Sequence, residues 1–431
     1  MPTSRPDTRL TLDSESLRFL IACCRAEPTE EDLEFIINFI QHPTFNIRHL
    51  MALARRHGVL PLVYKRLKRV ASRKSQVASS WEERRAESEK LNAQRSTLNA
   101  SSQSDDPSQY TNTPITNNKL ISSLRQEYQS IAHRNILMTA ELLRIMKLLE
   151  AHGIPALAFK GPALAQRAYG DITLRQYGDL DILTKKEDVY RIDALLQGEG
   201  YERLLALTPV QEKIWIRYAH DLGLVHRGKG VHLEMHWSFL DEDYPMQVDL
   251  ENFWEETQTV RINGRDLPVF SDANLLYYLC IHGSKHLWER IEWIKDVDLL
   301  IRKGPVAWEE MIKKAEGSGF ERMLCLGLSL SASLFRTPLP ESVRREIARY
   351  PELSDLQAFV TESWQNEKST FAKTAAILRL FPGTKEKILF LHKIIFKPSL
   401  NEYWAVDLPK GFYWGYYLVR PYLLLKKYLT G

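Results

Sequence analysis

The sequence predicts an α+β fold, with a mixed sheet and its helices in the middle of the chain and helical regions on either side. Three observations predict it. Apolar residues recur at helical spacing before residue 70 and again from about 120 to 150. Between 155 and 270, short strand-like runs alternate with helical ones, and two glycine turns, Arg227-Gly228-Lys229-Gly230 and Asn263-Gly264, read as hairpins. From Ser271 the pattern is helical again, opened by the capping run Ser271-Asp272-Ala273-Asn274.

Taken in order, Leu17, Leu20, Ile21 and Cys24, then Leu33, Ile36, Ile37 and Ile40, mark the first helices. The stretch 72–118 is rich in Ser, Gln, Asn and charge, too polar to offset the entropy of ordering, and is expected as a low-complexity insertion or linker. Its part from Trp81 to Leu98 could extend as a helix. Helical periodicity then runs from Leu120 to Glu150 and stops at His152-Gly153. Strands are expected at Pro155–Phe159, Gly178–Thr184, Tyr201–Leu207, Leu222–His226 and Val231–Trp237. Helices are expected at Ala163–Ala168, Lys186–Gln197 and Pro209–Ala219. The chain thus divides into an N-terminal helical region (1–71), the insertion (72–118), an α/β domain (119–270), a helical domain (271–380) and a basic aromatic tail (381–431).

Composition excludes some classes. A net charge of +4 over 431 residues is too small to predict specific nucleic-acid binding. Four scattered cysteines lack metal-site spacing and fit a reducing compartment. No run of about 18 uncharged apolar residues is present, and Met1–Leu12 lacks the apolar core of a secretory signal, so a cytoplasmic protein is expected. The tail admits two readings. Phe412, Tyr413, Trp414, Tyr416 and Tyr417 beside Arg420, Lys426 and Lys427 form either a packed C-terminal helix or, through 411–431, a membrane-peripheral surface.

The candidate chemistry centres on Asp179-Leu180-Asp181. On a strand, both carboxylates share one face, about 7 Å apart, while Leu180 and Ile182 point into the fold. Such a pair can hold a divalent cation. Upstream, Lys160-Gly161 closes a strand and opens a helix: Gly lets the backbone approach a phosphate and Lys160 adds a charge. Downstream, Val231–Trp237 puts His232, Glu234 and His236 on one face, so that Glu234 can complete a cage for one or two Mg²⁺. Arg175 lies in the loop between the two halves, where it could hold phosphate or pair with a surface acid. His236, and His282 and His286 four apart on a helix, are candidates for substrate or outer-sphere contacts. A zinc site joining these histidines to His232 is the weaker alternative, because the Glu of a His-Glu-x-x-His hydrolase is missing.

In their order, the Gly turn, the Asp-x-Asp strand and a later strand carboxylate resemble the DNA polymerase β-type nucleotidyltransferase superfamily. The run from Leu157-Ala158-Phe159-Lys160-Gly161 through Arg175, Gly178–Leu183 and Glu234-Met235-His236-Trp237 is similar to an uncharacterised bacterial nucleotidyltransferase-like family. His57-Gly58-Val59-Leu60-Pro61, His282, His286, Trp293 and Asp296 extend the likeness from about residue 30 to the end. The chain departs from the superfamily pattern at Gly161-Pro162, where Gly-Gly or Gly-Ser is usual, and in the longer spacing from Gly161 to Asp179. The resemblance implies a nucleotidyltransferase-like mixed sheet and metal-dependent transfer of a nucleoside monophosphate from a nucleoside triphosphate to an unknown hydroxyl acceptor, whether small molecule, glycan or protein. It implies Asp179, Asp181 and Glu234 as catalytic metal ligands, two Mg²⁺ ions, and Lys160, Gly161 and Arg175 around the triphosphate. It also suggests a place in polysaccharide biosynthesis. The alternative is a catalytically silent nucleotide- or partner-binding module, membrane-peripheral in an envelope polysaccharide pathway.

Overall fold

Seven strands form one mixed sheet in the order β3-β4-β5-β2-β1-β7-β6. The strands are β1 (Ala156–Ala158), β2 (Asp179–Thr184), β3 (Glu202–Arg203), β4 (Asp221–His226), β5 (Val231–His236), β6 (Thr257–Ile262) and β7 (Arg265–Phe270). The computed structural model describes residues 14–42, 45–72, 118–398, 402, 405, 406, 408, 409 and 411–430. The predicted low-complexity insertion, including Trp81–Leu98, lies outside the described residues except at its two ends.

The helices, in chain order, are α1 (Ser14–Cys24), α2 (Glu30–Gln41), α3 (Ile47–Arg56), α4 (60–72), α5 (Asn118–Ala151), α6 (Gly161–Leu164), α7 (Val189–Gly198), α8 (Pro209–Tyr218) and α9 (Leu250–Glu255). After the sheet come α10 (Asp272–Lys285), α11 (Ile291–Lys303), α12 (Trp308–Ser318), α13 (Glu321–Phe335), α14 (Glu341–Ala348), α15 (Leu353–Gln365), α16 (Thr370–Leu378), α17 (Thr384–Phe396) and α18 (Tyr416–Thr430). Their boundaries follow local chemistry. Thr29 closes a capping box with Asp32 at α2, Thr208 does the same with Gln211 at α8, and Ser271 accepts from Asn274 N–H to start α10.

Two compact units emerge. One comprises residues up to Leu137 with Asp171–Gln176 and Arg290–Glu292; the other comprises Met138–Gly170, Tyr177–Glu289 and everything from Trp293. Within the first, Tyr64 stacks on Tyr128 at 4.9 Å. There Asn135 Nδ2 donates to the carbonyls of Ile172 and Arg175, and Arg55 forks onto Glu127.

The second unit holds the sheet. One sheet face carries Leu180, Ile182, Leu222, Leu224, Leu233 and Met235 into a core with Leu142, Ile145 and Leu149 of α5 and Ile192 and Leu196 of α7. This is the alternation expected of a half-covered sheet. The two predicted hairpins form, β4–β5 around 227–230 and β6–β7 around 263–264.

Two element expectations are corrected. The strand at Tyr201–Leu207 shrinks to the two residues of β3, an edge strand paired with β4 that ends at Arg203, several residues before Thr208-Pro209 starts α8. The helix expected at Ala163–Ala168 is α6 followed by a wider π turn, Ala165–Tyr169, closed by Gly170 at φ +69°. Side-chain anchors hold that turn: Arg167 donates to the Phe270 carbonyl and to Asp272 and contacts Gln258, while Tyr169 Oη donates to Asp296 at 2.8 Å.

Candidate active site

The second sheet face is polar at one place because two registers converge there. β2 and β5 run parallel with Asp181 beside Glu234 and Asp179 beside His232. β4 runs antiparallel to β5, and counting back from the 227–230 turn places Asp221 opposite His236. Asp181, Glu234 and His236 thereby meet on the face opposite Leu180, Ile182 and Met235.

Asp181 is only 3% exposed. Its Oδ1 lies 3.1 Å from Lys160 Nζ and 3.3 Å from His236 Nε2, and the same Nε2 lies 3.3 Å from Glu234 Oε2. One ligand atom from each of Asp181, Glu234 and His236 falls within 4.8 Å of the others. Lys160 Nζ donates to Asp181, whereas the two imidazole contacts are close enough for charge but poorly aligned for hydrogen bonding, and both His236 ring nitrogens are buried without a hydrogen-bond partner. Glu234 is the open side of the cluster, its side chain 37% exposed.

The charges are mutually held. Burial opposes the Asp181 carboxylate, but Lys160, and then His236, outweigh it and keep its pKa well below the usual range. Burial likewise opposes the Lys160 ammonium, and Asp181 overcomes it, with Asp179 adding to the same field. Burial would lower the His236 pKa, yet Asp181 and Glu234 raise it to about 9. His236 in turn lowers the pKa of Glu234 against the effects of burial and of Asp181.

Gly161 earns its place by backbone shape. It sits at φ +52°, and a Cβ there would meet the Asp179 carbonyl oxygen at 3.3 Å. It lets β1 turn tightly past β2 and so puts Lys160 against Asp181. Behind it the helix expected at Ala163–Ala168 is present, beginning as the four residues of α6 and continuing as the π turn Ala165–Tyr169.

Among the residues predicted for the site, Lys160, Asp181, Glu234 and His236 come together. Asp179 lies two residues earlier on β2, and contributes no atom to the three-residue cluster. His282 on α10 and His286 at its C-cap do lie side by side. They form an aromatic row in which Tyr278 stacks on His282 at 5.6 Å, His282 and His286 lie 4.8 Å apart, and Trp293 sits 5.2 Å from His282. Tyr278 is 5.4 Å from Lys160 Nζ, which ties that row to the cluster. Burial, with Lys160 next, drives the His282 pKa well below its usual value and keeps the ring neutral. His232 is exposed, and among the described residues the four histidines make no joint cluster. Arg175 belongs to the first unit, where its guanidinium lies 3.3 Å from buried Glu292.

Sequence reasoning missed Tyr278 and His220 and weighed Asp221, like Asp241, only as a rival to Glu234. Tyr278 was findable as the residue one turn before His282, and Asp221 by counting the hairpin register out from its turn. His220, Asp221 and His236 form a second group with ligand atoms within 4.8 Å.

No curated protein matches the chain in sequence. Three solved structures show remote likeness. The solution structure of the antibiotic-resistance factor ANT(2'')-Ia aligns at 14% identity over 55% of this chain and 100% of that one, with TM-score 0.27. The crystal structure of ANT(2'')-Ia with adenylyl-2''-tobramycin aligns at 12% over 52% and 97%, with TM-score 0.25. An antigenic nucleotidyltransferase-like protein from Paracoccidioides brasiliensis aligns at 16% over 52% and 92%, with TM-score 0.29. A family model described as "uncharacterised nucleotidyltransferase" matches residues 106–336, more than half of the chain and the whole of the sheet and its carboxylates, and the chain belongs to that family.

Proposed function

We propose that the protein transfers a nucleoside monophosphate from a nucleoside triphosphate to a hydroxyl acceptor, with a divalent cation held at the Asp181–Glu234 pair. The observation that carries this reading is the register of two parallel strands, which sets Asp181 and Glu234 side by side next to a buried imidazole with no hydrogen-bond partner. The donor set fits the ion. Carboxylate oxygens suit Mg²⁺, the two acids converge within ligand reach, and Asp179 on the same strand face supplies further negative charge for a second ion. Such a cation, when bound, would neutralise charge on the phosphates and on the leaving pyrophosphate.

The chain's own residues divide the remaining work. Lys160, kept charged by Asp181, binds a phosphate oxygen, and Gly161 lets the backbone pass close to it. His236 fixes the spacing of Asp181 and Glu234 through Nε2. The acceptor oxygen bonds to the α-phosphorus as the bond from that phosphorus to the pyrophosphate oxygen breaks. Glu234, on the solvent side, takes the acceptor's proton. Tyr278, His282 and Trp293 offer an aromatic wall for base or acceptor.

The test is incubation with each α-labelled nucleoside triphosphate and Mg²⁺ or Mn²⁺, with cell extract as acceptor source. Label should move to an acceptor with the wild type and not with Asp181→Asn. Nucleotide binding without transfer would favour the silent module, and equal labelling by both proteins would overturn the catalytic reading.

A second reading concerns location. Among the described residues, eleven of the fifteen exposed large apolar side chains lie at or beyond Phe371, including Phe396, Phe412, Trp414 and Tyr422. Residues 381–431 carry eight basic against three acidic side chains. No described helix is long and apolar enough to cross a membrane. An aromatic, cationic surface of this kind favours docking on anionic lipid. Cosedimentation with anionic but not neutral vesicles, lost on deleting 411–431, is the expected result; equal recovery with both vesicle types would remove this reading.

A further inference from the structure

We propose that His220, Asp221 and His236 form a metal position of their own, selective for a zinc-class transition ion rather than for Mg²⁺. It uses residues beside the Asp181–Glu234 pair and does not depend on nucleotidyl transfer. Three observations converge on it. Ligand atoms of the three side chains lie within 4.8 Å of one another, set by the β4–β5 register that places Asp221 opposite His236. Two imidazoles with one carboxylate make a nitrogen-rich donor set, which suits Zn²⁺ and its neighbours and leaves a coordination position for solvent.

The second observation is the outer partner of each imidazole. His220 Nδ1 lies 2.8 Å from Asp241 Oδ1, and Asp241 is itself held by Lys393 Nζ at 2.7 Å. That contact orients the ring and leaves Nε2 as the coordinating nitrogen. His236 has a looser counterpart with the nitrogens exchanged: Nε2 faces Asp181 and Glu234 at 3.3 Å, a charge contact without an aligned hydrogen bond, which leaves Nδ1. A carboxylate on the far nitrogen of each histidine is the arrangement that orients imidazoles toward metals.

The third observation is an orphan. His236 is 95% buried, and its Nδ1 finds no hydrogen-bond partner in the protein. A buried ring nitrogen left unpaired is costly, and a bound ion would satisfy it. Lys393 already balances Asp241, so Asp221 is the carboxylate available to the ion.

The experiment uses the full chain, stripped with EDTA and titrated with Zn²⁺ against a chromophoric chelator, with elemental analysis of the dialysed protein. Circular dichroism and melting in EDTA identify variants that fold. Wild type should retain one Zn²⁺ per chain that excess Mg²⁺ does not displace. His220→Ala and Asp221→Ala should lose it, and Asp241→Asn should weaken it by about 10–100-fold, the usual effect of removing an outer partner. Asp179→Asn should keep the zinc while losing transfer, which separates failure of this site from failure of the catalytic reading. Wild type that retains no zinc, or His220→Ala that binds it as wild type does, would overturn the proposal.

Discussion

Asp181 and Asp298 are both buried carboxylates beside a lysine, and their surroundings differ. Asp298, 0% exposed, is saturated: Lys295 Nζ donates at 2.6 Å, Arg302 Nε at 2.7 Å and Thr337 Oγ1 at 2.7 Å. Asp181 has Lys160 at 3.1 Å and an imidazole at 3.3 Å that forms no aligned hydrogen bond, and its neighbour Glu234 faces solvent. One group is closed on itself, as a structural ion network must be to offset desolvation. The other has charge and donor capacity to spare at the mouth of a sheet. Burial and a strong field are common to both; an open Glu234 carboxylate and an unaligned imidazole distinguish the Asp181 group.

The two carboxylates should differ most in activity. Asp181→Asn should lower transfer by about three orders of magnitude, the several kcal/mol of charge stabilisation such a site supplies. Asp298→Asn should leave the specific activity of the folded fraction unchanged, as a labelled-nucleotide assay on both variants would show. Stability should reverse the order. Removing the Asp298 charge leaves Lys295 buried and uncompensated and should cost about 3–5 kcal/mol in denaturant unfolding, more than Asp181→Asn costs.

His236 gives the next effect in size. Its folded pKa of about 9 lies above the unfolded value near 6.5, so the protonated ring stabilises the fold fully below about pH 6.5 and ceases to do so as pH rises through about 9. In EDTA, wild type should lose about 3 kcal/mol across that window, and His236→Gln should flatten that part of the profile. A wild-type profile with no such fall would show that the imidazole is not charged by Asp181 and Glu234. The smallest effect belongs to the surface. Arg227 and Glu202 pair at 2.7 Å but are largely exposed, and Arg227→Ala should change stability by less than about 1 kcal/mol.

Much of this arrangement was legible in the sequence. Alternation along Asp179–Leu183 and Val231–Trp237 gave both strands and the faces of their side chains, and the glycine turns gave both hairpins. Residue type and order single out Lys160, Asp181, Glu234 and His236. What periodicity cannot supply is which strands lie side by side. That β5 runs parallel to β2, with Glu234 beside Asp181 and His236 near enough to touch both, depends on long-range pairing. The missed residues have the same cause. His220 joins the site because Asp241, twenty-one residues away, holds its ring, and Tyr278 because α10 packs its aromatic row against Lys160. The π turn at Ala165–Tyr169 was hidden because its anchors, Gln258, Phe270 and Asp272, lie about a hundred residues on.

We propose the cluster at Asp181 and Glu234 as a cation-dependent nucleotide site. Calorimetric titration with a non-hydrolysable nucleoside triphosphate, with and without Mg²⁺, decides it. Binding should appear only with the cation in the wild type and should vanish in Asp181→Asn/Glu234→Gln while the Asp298 network, and with it the fold, stays intact. Binding of equal strength in wild type and double variant, or no binding with Mg²⁺ present, would rule this site out.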